Sequence, residues 1–251
     1  MLVNYNLQFA KKNKDRYAKT APFPHIVLDN FFCDKTLSQV YDSFPNPKEL
    51  TWHKYNNQLE KKLMYSQVDN LTEPFRKLFQ ELHKKEFIQF LEQLTGFENI
   101  VCDENYTGGG LHQIERGGKL DIHTDFNVLY GTNKKRCLNL ILYLNKEWKE
   151  EYGGHFEMWD KDVKCCVQKI LPIFNRAVIF STNEYSFHGH PDPLNCPDNM
   201  TRKSFALYYY VESETDERSY STRFVKRPSD AEDEELDKFR LLRSIPWSKR
   251  K

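Results

Sequence analysis

A histidine and an aspartate two positions apart, His123 and Asp125, have the residue types and the spacing to bind a metal ion. They lie in the stretch Gly117–Asn127, after a glycine pair and a short alternating apolar segment. In an extended chain, residues i and i+2 point to the same face, so the imidazole and the carboxylate would project together. A second histidine from elsewhere would complete a 2-His-1-carboxylate triad, a ligand set that suits non-haem Fe(II) and leaves coordination positions open.

The His-x-Asp pattern is short, and the chain contains a second copy, His190-Pro-Asp192. Because the chain has eight histidines, a pattern this short can arise by chance. The central proline of the second copy, with Pro193 after it, favours a turn over a strand edge. We therefore expect His190-Pro-Asp192 to form a loop.

Two histidines further along the chain are candidates for the third ligand. The apolar run Phe174–Ser181 has the pattern of a buried strand, and a loop follows it up to Phe187. A histidine after that loop would return to the same end of a barrel as His123. From the residues alone, His188 and His190 remain alternatives.

Arg202 is a candidate for binding a carboxylate. It lies at the start of the alternating aromatic stretch Thr201–Tyr210, where a surface arginine at a strand end is the ordinary interpretation. The functional alternative is a bidentate partner for a buried carboxylate, which the planar guanidinium suits better than an ammonium group does. Ser204 would share its face at i+2, and Tyr143, at the end of Leu138–Leu144, would add a phenolic hydrogen bond.

Upstream of these residues, apolar side chains recur at helical spacing. Asp34 is a possible N-cap for one helix, Thr72 caps a second, and a further turn series ends at Gly96, a typical C-terminal glycine. We expect these N-terminal helices, within residues 34–96, to pack their aromatic faces on a sheet. The charged stretch Trp52–Tyr65 is either a strand or a loop.

From Ile100 onward the pattern changes to short strands separated by glycines and by Asn-Lys or Asp-Lys pairs. Many short strands without helices between them predict an antiparallel sandwich or barrel. The tail differs, because Ser229-Asp-Ala-Glu232 has the form of a capping box and predicts a helix. An entry strand is expected within Ala21–Asp29, and later strands at Leu111–Glu115, Leu120–His123, Cys137–Leu144, His155–Trp159, Cys165–Ile170, Arg176–Ser181 and Ser204–Val211.

The composition disfavours several classes of partner and of site. With 251 residues, 39% of them hydrophobic, the chain can bury a substantial core. Its formal net charge of +1 gives no reason to expect nucleic acid or an anionic membrane surface as a partner. No apolar run approaches the roughly eighteen residues of a membrane span, and Met1–Lys19 is too polar for a secretory signal. Six cysteines without C-x-x-C spacing favour a reducing cytoplasm over a disulfide or zinc framework.

In their order along the chain, these motifs resemble the Fe(II)/2-oxoglutarate-dependent dioxygenases of the prolyl-hydroxylase type. The resemblance covers about Pro22 to Tyr210. The run Arg136–Trp148, followed by Gly153-Gly154, is similar to hypoxia-type prolyl hydroxylases. The entry Pro22-Phe-Pro-His25 is similar to relatives that act on prolines of ribosomal proteins. The other matching elements are His123-Thr-Asp125, His188 and Arg202-Lys-Ser204.

The resemblance implies a mainly β fold with flanking helices, built on a double-stranded β-helix (jelly roll) core at residues 100–212. A single oxygenase domain would then span residues 1–228, and residues 229–251 would form a C-terminal helical tail. The chain departs from the family in this tail and in the long, proline-rich loop between His188 and Arg202.

The resemblance also implies the site. Fe(II) would be bound by His123, Asp125 and His188. The C5 carboxylate of the co-substrate 2-oxoglutarate would pair with Arg202, assisted by Tyr143 and Ser204. O2 would be the second co-substrate, and ascorbate would support turnover.

Hydroxylation of a prolyl residue in a protein or peptide is the leading hypothesis from this resemblance. A free amino acid or a small metabolite is the alternative substrate. An alternative of a different class is a non-enzymatic jelly-roll binding module that has lost its metal, although such a module would need neither the complete triad nor Arg202.

Overall fold

The computed structural model describes residues 3–213 and 219–245. Within these residues, short helices flank a curved antiparallel sheet. The helices are α1 (Leu7–Lys19), α2 (Asp34–Asp42), α3 (Glu73–His83), α4 (Lys85–Thr95) and α5 (Glu234–Ser244), with single 3-10 turns at Val68–Asn70 and Glu150–Tyr152. The strands are β1 (His25–Leu28), β2 (His53–Asn56), β3 (Glu60–Tyr65), β4 (Val101–Cys102), β5 (Gly110–Ile114), β6 (Lys119–Thr124), β7 (Lys134–Tyr143), β8 (Phe156–Trp159), β9 (Cys166–Ile170), β10 (Arg176–Ser181), β11 (His188–His190), β12 (Arg202–Glu212) and β13 (Arg223–Phe224).

The sheet curls until its two ends face each other. The strand order is β1-β10-β7-β12-β5-β3-β6-β11-β8-β9, and β13, β2 and β4 add to β6, β3 and β12. Phe156 on β8 packs against Phe180 on β10, with ring centroids 5.4 Å apart, although these strands are far apart in the order. Antiparallel strands that close in this way around one interior form the expected jelly roll, so the predicted fold class is confirmed.

The helices α1 to α4 cover one face of this sheet and share the main hydrophobic core with it. Phe79 on α3 lies 5.2 Å from Phe205 on β12, and Phe87 on α4 lies 6.4 Å from Tyr209 of the same strand, measured between ring centroids. The aromatic stripes at helical spacing are therefore core residues, as predicted. Helix α4 ends at Gly96, whose φ of +81° is the left-handed conformation expected of a C-terminal glycine.

All seven strands predicted from Leu111 onward are present, with ends shifted by three residues or fewer. The open choice at Trp52–Tyr65 is resolved as a hairpin of β2 and β3. Strand β3 joins the jelly roll between β5 and β6, so residues 34–96 contribute to the sheet as well as to the helices.

Two predicted helix starts are wrong by one or a few residues. The N-cap position of α2 is Cys33, and Asp34 is the first helical residue. The carboxylate of Asp34 accepts a hydrogen bond from Asn175 and does not cap the helix. Helix α5 begins beyond the capping-box pattern at Ser229, and Asp233 caps it by accepting from the backbone N–H of Leu236.

The expected loop at His190 is also wrong. His190 is the last residue of β11 and pairs with Leu120 of β6, and it is buried. The strand stops at the next residue, Pro191, which has no N–H to donate to a ladder. Among residues 3–213 and 219–245, no helix is both long enough and apolar enough to cross a membrane.

Candidate metal centre

Three side chains converge at one end of the barrel. His123 lies near the end of β6, Asp125 follows that strand, and His188 begins β11 directly opposite His123 in the antiparallel register. Their nearest ligand-type atoms all lie within 4.8 Å of one another. In the part of the chain that the structure describes, this is the one such group of histidine, cysteine and acidic residues. The structure thus brings His188, and not His190, together with the His-x-Asp pair.

The backbone orients both imidazoles. The Nδ1 atom of His123 lies 2.8 Å from the carbonyl oxygen of Asp121, and that of His188 lies 2.8 Å from the carbonyl oxygen of Ser186. A carbonyl can only accept, so each Nδ1 carries the hydrogen and each Nε2 keeps its lone pair when the ring is neutral. The Nε2 atoms face Asp125, at 3.7 Å from Oδ1 and 3.4 Å from Oδ2.

Burial keeps these histidines neutral. It lowers the pKa of His123 to about 3, with the neighbouring His188 adding to the effect, and it also lowers the pKa of His188. Two neutral imidazoles and one carboxylate are the donor set that a 2-His-1-carboxylate iron site requires, since metal ligands must be deprotonated.

A polar network on β7 and β12 holds Asp125. Asn139 donates a 2.8 Å hydrogen bond to Oδ2 of Asp125, and Arg136 places a guanidinium nitrogen 3.2 Å from the same oxygen. Arg136 also donates to the side-chain oxygen of Asn139 at 2.7 Å and lies over the ring of Tyr208, 3.3 Å from its centroid. Burial alone would raise the pKa of Asp125, but the charge of Arg136 and the hydrogen bond from Asn139 act against it, and this pKa lies well below its usual range.

Sequence reasoning did not assign a role to Arg136 or Asn139. Both lie in β7, whose other residues from 137 to 143 are cysteine, leucine, isoleucine and tyrosine. An arginine and an asparagine within an otherwise apolar strand could have indicated a polar site, because buried polar groups need partners.

The triad opens into a cavity lined by residues from both halves of the barrel. Besides the three triad residues, this lining includes Lys62, His112, Tyr143, His190, Arg202 and Ser204. The predicted carboxylate-binding residues are therefore in the same cavity as the triad. His112 and Lys62 were not singled out from the sequence.

Arg202 is a buried cation without a carboxylate partner in the described residues. Only 4% of it is exposed, and its Nε donates to the carbonyl oxygen of Gly154 at 2.8 Å. Its guanidinium carbon lies 5.0 Å from the ring centroid of Tyr143, whose buried hydroxyl lacks a hydrogen-bond partner of good geometry. Ser204 lies opposite Tyr143 in the β12–β7 register. A ligand carboxylate would satisfy both Arg202 and Tyr143.

The second glycine of the Gly153-Gly154 motif is required by this arrangement. Gly154 has a φ of +72°, and a Cβ atom there would lie 2.9 Å from Cδ of Arg202 and 2.6 Å from Leu194. A larger residue would displace the arginine from the cavity wall.

His190 lines the cavity beside this group but does not join the triad. Its side chain is buried, and neither ring nitrogen has a hydrogen-bond partner in the portion of the chain that the structure describes. Burial, and after it the charge of Arg202, hold the pKa of His190 well below its usual range.

Comparison with solved structures identifies the fold. A prolyl-4-hydroxylase from Pseudomonas putida aligns with a TM-score of 0.60 and 14% identity, covering 81% of this chain and all of that protein's chain. A Trichoplax adhaerens prolyl hydroxylase, solved with a hypoxia-inducible-factor peptide fragment, aligns with a TM-score of 0.54 and 16% identity, covering 81% of this chain and 91% of its own. HygX from Streptomyces hygroscopicus, solved with nickel, 2-oxoglutarate and hygromycin B, aligns with a TM-score of 0.52 and 10% identity, covering 79% and 86%. At these identities the likeness establishes a common fold.

The barrel region of the sequence gives a match to a family model. No curated protein sequence gives a match to this chain. Residues 109–210, which contain the triad and Arg202, match the 2OG-Fe(II) oxygenase superfamily. Residues 109–210 therefore form a dioxygenase domain of that superfamily, on the fold of the prolyl hydroxylases, with Fe(II), 2-oxoglutarate and O2 as its metal and co-substrates.

Proposed function

We propose that this protein hydroxylates a prolyl residue of a protein or peptide. The observation that carries the proposal is the joint placement in one buried cavity of the His-Asp-His group and Arg202, which has no carboxylate partner within the described part of the chain. The substrate class is supported by the fold shared with the Pseudomonas and Trichoplax prolyl hydroxylases, the second of which was solved with a peptide.

In this proposal His123, Asp125 and His188 hold Fe(II). Their donor atoms fit the ion, because both Nε2 lone pairs and one carboxylate face a common point. Arg136 and Asn139 orient Asp125, and the carbonyls of residues 121 and 186 orient the imidazoles. Such supporting contacts fix ligand geometry and raise metal affinity.

Arg202 and Tyr143, with Ser204 beside them, would bind the C5 carboxylate of 2-oxoglutarate. The guanidinium supplies charge, and the hydroxyl of Tyr143, which has no hydrogen-bond partner of good geometry among the described residues, supplies a donor in the same place. Bound iron supplies the oxidative chemistry, in which 2-oxoglutarate and O2 yield succinate, CO2 and a hydroxylated C–H bond.

Aromatic side chains would keep water away from the reacting atoms. The ring centroids of Phe156 and Phe180 lie 5.4 Å and 4.9 Å from that of His188, and Phe224 lies 5.3 Å from His123. An apolar wall at this distance limits side reactions of the oxidant with solvent and strengthens the electrostatic contacts inside the site.

A small-molecule substrate is the second candidate. It is favoured by the likeness to HygX, which was solved with hygromycin B and reaches a TM-score comparable with that of the Trichoplax enzyme. The proposed setting is the cytoplasm, which is supported by the six unpaired cysteines.

The test is an assay of purified protein with Fe(II), ascorbate, 2-oxoglutarate and O2. Prolyl peptides and a separate panel of free amino acids and metabolites are offered as substrates. We expect succinate release coupled to a mass increase of one oxygen atom on a prolyl peptide, and neither product from Asp125→Ala. His155→Ala removes a histidine outside the cavity lining and serves as the control. Product from the metabolite panel alone would reject the prolyl assignment, and succinate formation by Asp125→Ala would reject the proposed iron ligand.

A further inference from the structure

The imidazole of His190 faces the cavity, and no group in the described chain forms a hydrogen bond with it. It is 4% exposed, and both ring nitrogens are buried without a hydrogen-bond partner. Buried polar atoms are almost always paired, and leaving one unpaired is costly. A histidine kept in this state at a cavity wall points to a ligand that completes its hydrogen bonding.

Strand geometry sets the direction of this side chain. His188 and His190 are two residues apart on β11, and both line the cavity although the register with β6 shifts between them. Gly189, between them, lies so close to β6 that a Cβ atom would be 2.7 Å from the carbonyl oxygen of Leu120 and 2.8 Å from that of Asp121. Both histidines therefore face the cavity, and His190 is displaced along β11 from the triad, opposite Leu120.

The charges around His190 define the ligand it would accept. Arg202, Lys62, His123 and His112 line the same cavity as His190. Among the described lining residues the one carboxylate is Asp125, which faces the triad imidazoles and the guanidinium of Arg136. An imidazole has at least one N–H donor, and a donor in a cavity that also contains a guanidinium is matched by an anionic oxygen.

The other roles for a buried histidine do not fit His190. It is outside the group of ligand atoms formed by His123, Asp125 and His188, so it is not a third or fourth metal ligand there. It makes no hydrogen bond to the backbone, unlike His112, whose Nε2 lies 3.2 Å from the carbonyl oxygen of Gly108.

We propose that His190 is a positioning residue for the co-substrate, donating a hydrogen bond to the C5 carboxylate of 2-oxoglutarate that Arg202 binds. The residue would fix the far end of 2-oxoglutarate from β11 while Arg202 and Tyr143 hold it from β12 and β7. The inference rests on 2-oxoglutarate as co-substrate and is independent of the identity of the hydroxylated substrate.

The test compares two ligands that differ only in the group at C5. 2-Oxopentanoate has the chain and 2-oxo acid head of 2-oxoglutarate, with a methyl group in place of the C5 carboxylate. Dissociation constants for both are measured by calorimetry on protein loaded with Zn(II), which fills the site without turnover. For His190→Leu, we expect 2-oxoglutarate to bind about tenfold more weakly or worse, the scale of one lost hydrogen bond to a charged group. The constant for 2-oxopentanoate should stay the same.

His83→Leu is the matched control, since it removes a histidine from α3 outside the cavity. It should change neither constant. If His190→Leu binds 2-oxoglutarate as the wild type does, or weakens both ligands equally, the inference is overturned. If the wild type does not distinguish the two ligands, the carboxylate assignment of Arg202 fails together with that of His190.

A second measurement covers the case in which His190→Leu does not fold. In wild-type protein labelled with 15N-histidine and loaded with Zn(II), the ring resonances of His190 should shift with 2-oxoglutarate and stay in place with 2-oxopentanoate. Resonances that respond identically to the two ligands would overturn the proposal without any variant.

Discussion

At the scale of single residues, Asp125 has two separate tasks. It is the candidate carboxylate ligand, and it is also the ion-pair partner of Arg136, whose side chain is 1% exposed. Removing a carboxylate from a buried pair leaves an uncompensated charge, which is far more costly than losing a surface ion pair. Metal binding and stability are therefore coupled at this residue.

We expect Asp125→Ala to lose bound iron and to destabilise the fold by about 3–5 kcal/mol, the cost of breaking a buried pair. Metal analysis and thermal unfolding measure the two effects. The double variant Asp125→Ala/Arg136→Met removes the unpaired cation, so it should recover much of the stability and none of the iron. If Asp125→Ala retains wild-type iron, the proposed triad is wrong.

Arg202→Met should weaken 2-oxoglutarate binding at least thirtyfold, since removing one side of a buried charge contact costs about 2–5 kcal/mol. Lys203→Met is the control, because Lys203 is the next residue of β12, outside the cavity lining, with its ammonium 5.8 Å from the ring of Phe44. Calorimetry on the Zn(II)-loaded protein gives both constants. Equal affinities for the two variants would contradict the assignment of Arg202.

At the scale of elements, the triad depends on how closely β11 approaches β6. The register places His188 opposite His123, and Gly189 allows the two backbones to pack without an intervening side chain. The φ of Gly189 lies outside the left-handed range, so this glycine is required by space and not by conformation.

Gly189→Ala should therefore push β11 away from β6 and weaken metal binding at least tenfold, because displacements of about an ångström at a site are costly. The control is Gly131→Ala. Gly131 has a φ of +75° but open space around its Cβ position, so the variant carries the conformational cost alone. Metal affinity would be titrated for each variant. An unchanged affinity in Gly189→Ala would show that the approach of the strands does not position His188.

Local periodicity was enough to predict most elements of this fold. The aromatic stripes of α3 and α4 and the strands from β5 to β10 and β12 carry strong signals. Strand β11 carries none, because His-Gly-His has no apolar alternation and its pairing with β6 is non-local. The start of α5 was misplaced because Asp230, inside the capping-box pattern, is bound by the backbone and guanidinium of Arg227.

The candidate site, too, could be predicted only in part from local sequence patterns. His-x-Asp was visible as a local pattern, and the resemblance in the order of motifs selected His188 over His190. The contacts of Arg136 and Asn139 with Asp125 join residues from different elements, so spacing along the chain could not reveal them. The loop expected at His190 followed from its proline neighbour, but tertiary pairing with β6 overrode that local preference.

At the scale of the whole molecule, residues 219–245 form a C-terminal strap across the side of β6. Strand β13 pairs with His123 and Thr124, and Phe224, 4% exposed, packs its ring against that of His123. Farther along the strap, Arg240 lies 3.6 Å from the carboxylate of Asp121, the residue whose carbonyl orients His123. Arg243 forms a 2.6 Å ion pair with Glu60 on β3. The strap therefore supports the strand that carries His123 and leads into Asp125.

A chain that ends at Ser213 should fold and yet bind metal more weakly. Among residues 3–213 and 219–245, the main core contains none beyond Val211, so its burial survives the truncation. Loss of Phe224 exposes His123 to water, and loss of β13 removes a hydrogen-bonded neighbour of β6, so we expect at least tenfold weaker metal binding and a lower Tm. Circular dichroism, thermal unfolding and metal titration measure these effects. Leu241→Ser changes a residue that is 70% exposed on the strap and serves as the control, expected to match the wild type. Wild-type metal affinity in the truncated chain would mean that the jelly roll holds the triad without the strap.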